Sequence, residues 1–136
     1  MILVDSSVWI DFFRGIVTPQ ADRLQILLGG QELLVADLVL MEVLQGYTRE
    51  SDFATALDLM SRMEAVAVGG AVVAIAAARH FRALRAMGIT VRKTIDCLIA
   101  TRCILDGHAL LYSDRDFDPF VAHLGLASAM DERPGA

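Results

Sequence analysis

Ile2-Leu3-Val4-Asp5-Ser6-Ser7-Val8-Trp9-Ile10-Asp11-Phe12-Phe13-Arg14-Gly15 carries the reading on which the fold turns. The opening triplet is apolar without a break. A strand wet on one face alternates apolar and polar residues, so an unbroken run predicts a strand covered on both faces. The polar step that follows opens a helix. Ser6 or Ser7 can cap it, Val8, Trp9, Phe12 and Phe13 recur at helical spacing, and Gly15 closes it. A buried strand that passes straight into a helix is the building unit of a parallel sheet sandwiched between helices.

Outward from this segment the same alternation continues. Thr18-Pro19 starts a helix with proline at its first position, and Gly29-Gly30 ends it. A second strand is predicted over Leu33–Ala36, with Asp37 capping a helix over 38–47 and Ser51 capping another through 63. A third strand is predicted over 65–68 and a long helix over 71–87, stopped by Gly88. Thr94 opens a helix that ends near Gly107. A strand over 109–112, a loop and short helix over 116–124, and a last strand over 126–129 complete the pattern. The prediction is a three-layer α/β/α domain with a central, mostly parallel sheet. It spans residues 1–130 and leaves a polar tail at 131–136.

The chain has 136 residues, the size of one domain, and 55% of them are apolar. That fraction supports a sizeable core and leaves apolar surface for a partner or a second copy. The longest uncharged stretch, 65–78, is mostly alanine and is interrupted by Gly69-Gly70, too short and broken to span a membrane. Asp5 interrupts the first apolar run at once, so no signal peptide is read and a cytoplasmic location is expected. Cys97 and Cys103 fall on different faces of one helix and are read as reduced core residues. His80, His108 and His123 lack zinc-ligand spacing. The net charge of −5 argues against a protein that coats nucleic acid unselectively.

The acids are more telling than their count. In an open parallel sheet the working crevice lies beyond the carboxyl ends of the strands. Asp5 follows the first strand there, and Asp114, with Asp116 two residues on, follows the strand over 109–112. Glu42 and Asp96 stand within the apolar runs Leu38-Val39-Leu40-Met41-Glu42-Val43-Leu44 and Thr94-Ile95-Asp96-Cys97-Leu98-Ile99-Ala100. Singly, each has a plain structural reading: Glu42 as the wet side of a helix, Asp96 as a helix-dipole acid, Asp114 and Asp116 as a polar turn. Together they would repel one another unless a cation neutralised them. An all-oxygen cluster suits Mg²⁺, with Mn²⁺ as a substitute, and such ions support phosphodiester hydrolysis. These residues by themselves reach an acidic metal site in an α/β domain; they do not reach RNA.

The opening segment, Met41-Glu42-Val43-Leu44-Gln45-Gly46, the run from Thr94 to Ala100, and Leu110-Leu111-Tyr112-Ser113-Asp114-Arg115-Asp116-Phe117 occur in the order of four acidic motifs. The chain thereby resembles PIN-domain ribonucleases, and in particular the VapC toxins. The resemblance covers essentially the whole chain. It implies a metal-dependent endoribonuclease with Asp5, Glu42, Asp96 and Asp114 as the acids of the centre. Asp116 would be a further ligand or a supporting acid, and Ser7 and Ser113 would orient the site. It also implies a homodimer and a cognate antitoxin that blocks the acidic pocket.

An acidic pocket repels RNA, so cations must flank it. Arg92 and Lys93, just before Asp96, are assigned to RNA binding. Arg79, Arg82 and Arg85 are open to reading as a phosphate-binding stripe, but the solvated helix face is the favoured reading because basic residues usually sit outside. Trp9 is open to stacking on a base, to the core or to a dimer interface. The rival readings are a PIN-like binding module with a degenerate site, a DNA-directed nuclease, and a phosphoryl-transfer receiver domain. The last would pair two acids after its first strand and place a lysine after its last, and this sequence does neither.

Overall fold

Five short segments, β1 (Ile2–Val4), β2 (Leu33–Ala36), β3 (Glu64–Val66), β4 (Ala109–Leu111) and β5 (Ala127–Ser128), form one sheet in the order β3-β2-β1-β4-β5. The computed structural model describes residues 1–30 and 32–131, so the expected tail at 131–136 lies outside the described residues except for Asp131. Every adjacent pair is parallel, with Leu3 facing Leu34 on one side and Leu110 on the other. Leu3, Val4, Leu110, Leu111 and all four residues of β2 are buried. This is the burial that an unalternated apolar run requires, and each such side chain contributes roughly 1.5–3 kcal/mol.

The helices are α1 (Ser6–Arg14), α2 (Pro19–Leu27), α3 (Asp37–Leu44), α4 (Glu50–Met60), α5 (Ala71–Ala86), α6 (Thr94–Asp106) and α7 (Asp118–His123), with a 3₁₀ turn at Arg115–Phe117. Helix α1 packs on both α2 and α3, α3 packs on α4, α5 packs on α6, and the sheet forms the middle layer. Two glycines close helices in the left-handed region, Gly15 at φ 70° and Gly107 at φ 72°, where a side chain would be strained. Trp9 is fully buried, stacked on Phe13 at 5.7 Å and edge-on to Phe12 at 6.2 Å. Of the roles open to it from sequence, the core is the one it fills.

The third strand differs from expectation. It runs Glu64–Val66 rather than 65–68, and its first two residues are exposed. The cause is position: β3 is the edge of the sheet, paired to β2 alone. The buried residue of that segment is Val68, in the loop beyond. Its N–H donates to Asp37 Oδ1 at 3.1 Å, and the same oxygen accepts from Leu38 N–H at 2.8 Å. Asp37 is thus the first residue of α3 and a tie to the loop before α5. Asp37→Ala would leave the Val68 N–H buried without an acceptor and is expected to cost about 1–2 kcal/mol. Asp37→Asn, which keeps the oxygen, should lose less. Equal loss by urea unfolding would contradict the assignment.

From β1 the chain steps outward to β2 and β3, then returns to lay β4 and β5 on the other side. The connections therefore diverge between the carboxyl ends of β1 and β4, the place where parallel α/β sheets open a crevice.

Candidate metal centre

Asp5 leaves β1 in extended conformation and caps α1, its Oδ2 accepting the Ser7 N–H at 3.2 Å and the Ser7 hydroxyl at 2.6 Å. The cap is therefore Asp5, where the sequence suggested Ser6 or Ser7. Asp5 is the last non-helical residue, and its carboxylate reaches the free N–H of the first turn. Its own N–H donates to Leu111 O at 2.9 Å, which holds it beside the end of β4. The Ser113 N–H donates to Ser7 Oγ at 3.4 Å. Ser7 thus links the turn after β1 to the turn after β4. The Ser113 hydroxyl is buried and has no partner among the described residues.

Asp114 begins the 3₁₀ turn after β4, its Oδ1 accepting the Asp116 N–H at 2.9 Å. The turn folds Asp116 back, so that a carboxylate oxygen from each of Asp96, Asp114 and Asp116 lies within 4.8 Å of the others. Asp96 enters from the first turn of α6 and is 5% exposed, and Asp5 is 3% exposed. Glu42 reaches in half-buried from α3. Of the sequence-predicted acids the structure thus groups Asp96, Asp114 and Asp116, while Asp5 and Glu42 stand outside that group, near enough for their charges to act on Asp96.

Their ionisation reflects the crowding. Burial raises the Asp96 carboxyl to about 7, and the charges of Asp5, Asp114 and Glu42 push it the same way against the pull of Lys93. Burial likewise raises Asp5, opposed by its Ser7 hydrogen bonds and reinforced by Asp114. Burial and then the Asp5 charge raise Glu42, with Lys93 opposing. Lys93 is held above its ordinary value first by Asp96 and then by Asp114. Its ammonium lies 3.5 Å from Asp114 Oδ2, although 62% of its side chain is exposed. Its charge is directed at the acids, whereas Arg92 is exposed and in no ion pair among the described residues.

Asp5 Oδ1, Glu42 Oε1 and Asp96 Oδ2 are buried without a hydrogen-bond partner among the described residues. Leaving ionised carboxylates unpaired costs several kcal/mol each, so the arrangement calls for protons or a cation. One exposed lysine cannot offset five buried or half-buried acids. The donors are all oxygen, with no thiolate or imidazole among them. The residues present therefore fit a hard divalent ion.

One feature was not anticipated: a groove between α5 and α6 that Thr94, Cys97 and Leu98 line from the helix bearing Asp96. Ala74, Ala77 and Ala78, from the alanine-rich stretch 65–78, form part of its wall.

A family model described as PIN domain matches residues 2–120. The chain is 33% identical over 131 residues to VapC ribonuclease Mb1587 of Mycobacterium bovis, covering 95% of this chain and 98% of that protein. The same identity and coverage hold for Ribonuclease VapC11 of Mycobacterium tuberculosis. Among solved structures, VapBC2 from Rickettsia felis, bound to a DNA fragment from its promoter, contains a chain that aligns with a TM-score of 0.71. The sequence identity is 18%, over 94% of this chain and 97% of that one.

Proposed function

This chain belongs to the PIN-domain family, and from that membership we propose that it is a divalent-metal-dependent endoribonuclease, the toxin of a toxin–antitoxin pair. The names of its VapC relatives support ribonuclease activity, and the VapBC complex with the same fold supports a small protein partner. The observation that carries the metal dependence is the set of buried, unpartnered oxygens on Asp5, Glu42 and Asp96.

In this reading Asp5, Glu42, Asp96 and Asp114 hold Mg²⁺ or Mn²⁺, and Asp116 adds a further ligand or fixes Asp114 through its N–H. When bound, the ion supplies neutralising charge and Lewis acidity at a phosphodiester. Ser7 orients Asp5, and the Ser113 backbone fixes Ser7. Lys93 shares the charge of Asp114, while Arg92 meets the phosphates of the incoming strand. Residues 1–130 form the catalytic domain. A homodimer and an antitoxin that blocks the pocket complete the proposal. No helix among the described residues is long and apolar enough to cross a membrane, and we place the protein in the cytoplasm.

The direct test is digestion of total cellular RNA by purified protein with Mg²⁺ or with EDTA. Discrete fragments formed only with the metal are expected. A folded protein that cuts under neither Mg²⁺ nor Mn²⁺ yet binds a small partner would support the degenerate binding module instead, and preference for DNA over RNA would support the DNA-directed rival. Replacing Arg92 and Lys93 together by alanine should weaken RNA binding and flatten its salt slope by about 1–2. An unchanged slope would remove both from the RNA interface.

A further inference from the structure

The turn that carries Asp114 and Asp116 has to keep its shape against its own charge. One oxygen from each of Asp96, Asp114 and Asp116 lies within 4.8 Å of the others, and carboxylates this close repel one another until a cation neutralises them. Asp114 caps a single 3₁₀ turn, Arg115–Phe117, and Asp116 lies within it. Such a turn holds itself poorly, because its hydrogen bonds are few and of inferior geometry. Here they run from the Phe117 N–H to Asp114 O at 3.2 Å and from the Asp118 N–H to Arg115 O.

Two side-chain contacts close this segment. On the inner side Phe117 is fully buried. On the outer side the Tyr112 hydroxyl donates to Asp118 Oδ1 at 2.8 Å, across six positions of chain. Tyr112 directly follows β4, whose Leu110 and Leu111 are buried, and Asp118 is the first residue of α7, which Phe120 anchors in the core. The bond thus joins the two fixed ends of the segment, with Asp114 and Asp116 between them. The Tyr112 ring also lies 5.3 Å from the Phe117 ring, so the outer contact and the inner anchor brace each other. Asp118 has a plainer role as an acid at a helix N-terminus. That role asks nothing of Tyr112, whose hydroxyl is nonetheless directed at this one oxygen.

We infer that Tyr112 and Asp118 are positioning residues for the metal centre: their hydrogen bond clasps the turn and keeps Asp114 and Asp116 set towards Asp96 before the ion arrives. This rests on the metal-dependent reading above and adds to it the device that pre-forms the site. Pre-formation removes ordering that binding would otherwise demand, so loss of the clasp shows first in metal affinity.

The test measures Mn²⁺ binding to metal-free protein by the loss of the free-ion EPR signal, with cleavage of one RNA followed over the same Mn²⁺ series. Tyr112→Phe removes the donor and keeps the ring on Phe117. Asp118→Ala removes the acceptor, and Asp118→Asn keeps an oxygen but no charge. Tyr112→Phe and Asp118→Ala should each weaken Mn²⁺ binding about ten-fold, the lower end of the range for groups that orient metal ligands, because this bond is exposed. The double variant should bind no more weakly than either single one, since both remove the same bond. Asp118→Asn should bind close to wild type. Cleavage by Tyr112→Phe should fall at limiting Mn²⁺ and regain the wild-type kcat at saturation. Wild-type Mn²⁺ affinity in Tyr112→Phe overturns the clasp while the metal reading survives. Equal losses in Asp118→Ala and Asp118→Asn with Tyr112→Phe silent also overturn it, returning Asp118 to the helix N-terminus. A wild-type protein that binds no Mn²⁺ removes the metal reading and the clasp together.

Discussion

Asp5→Asn protein is expected to cut RNA about 10³-fold more slowly than wild type, or not at all, while keeping its cooperative melting. The figure follows from a comparison. Residues that only orient a metal ligand typically change affinity or activity by about 10–100-fold when lost, so a ligand itself should cost more. Asparagine keeps the size and one side-chain oxygen, which can take the place of Asp5 Oδ2 and accept the Ser7 N–H, so the cap can survive. It loses the charge that an ion would meet on the buried Oδ1. Ser7→Ala provides the graded control. It removes a 2.6 Å hydrogen bond to Asp5 but no carboxylate, and should fall between wild type and Asp5→Asn. The check is single-turnover cleavage of one RNA over a series of Mg²⁺ concentrations. If Asp5→Asn retains wild-type activity, or if growth arrest on its expression persists, Asp5 is not at the centre.

The parts of this molecule legible in its sequence are those set by local pattern. Buried parallel strands announce themselves as unalternated apolar runs, and Leu33–Ala36 and the triplet Ile2–Val4 were placed to the residue. Gly15 and Gly107 mark helix ends because few residues other than glycine take positive φ there readily. The acids were legible singly, as carboxylates in apolar company. Their gathering into one centre was expected from their joint charge and from the resemblance of four motifs in order, but its geometry was not legible, because Glu42 and Asp96 come from helices whose facing depends on packing at a distance. The cap at Asp5 was displaced by one residue because serine and aspartate cap equally well by propensity, and only the extended backbone at Asp5 decides. The edge position of β3 was hidden for a similar reason: strand order is a property of the whole sheet. The groove was least visible, since alanines that leave space look the same in sequence as alanines that fill it.

The crowding of acids also predicts how stability depends on pH and metal. The folded-state pKa of Asp96, about 7, lies above its ordinary value of 3.8. Between these values the folded protein holds a proton that the unfolded chain releases, so metal-free stability falls as pH rises through that window. Asp5 and Glu42 shift in the same direction and deepen the fall. Discounted for the partial solvation of the crevice, the Asp96 share is on the order of 2 kcal/mol, or roughly 5–8 °C in Tm for a domain of this size. Metal-free protein should therefore melt higher at pH 5.5 than at pH 8. Mg²⁺ or Mn²⁺ should raise Tm strongly at pH 8 and little at pH 5.5, where protons compete for the same oxygens. Asp96→Asn removes the charge that the site cannot otherwise satisfy. At pH 8 without metal it should melt above wild type, with a flatter pH slope and a weak response to Mn²⁺. A less stable Asp96→Asn, or one with the wild-type slope, would mean that Asp96 is not under the strain assigned to it. Gain of stability with loss of cleavage in one substitution would instead mark Asp96 as a residue held for chemistry at the expense of the fold.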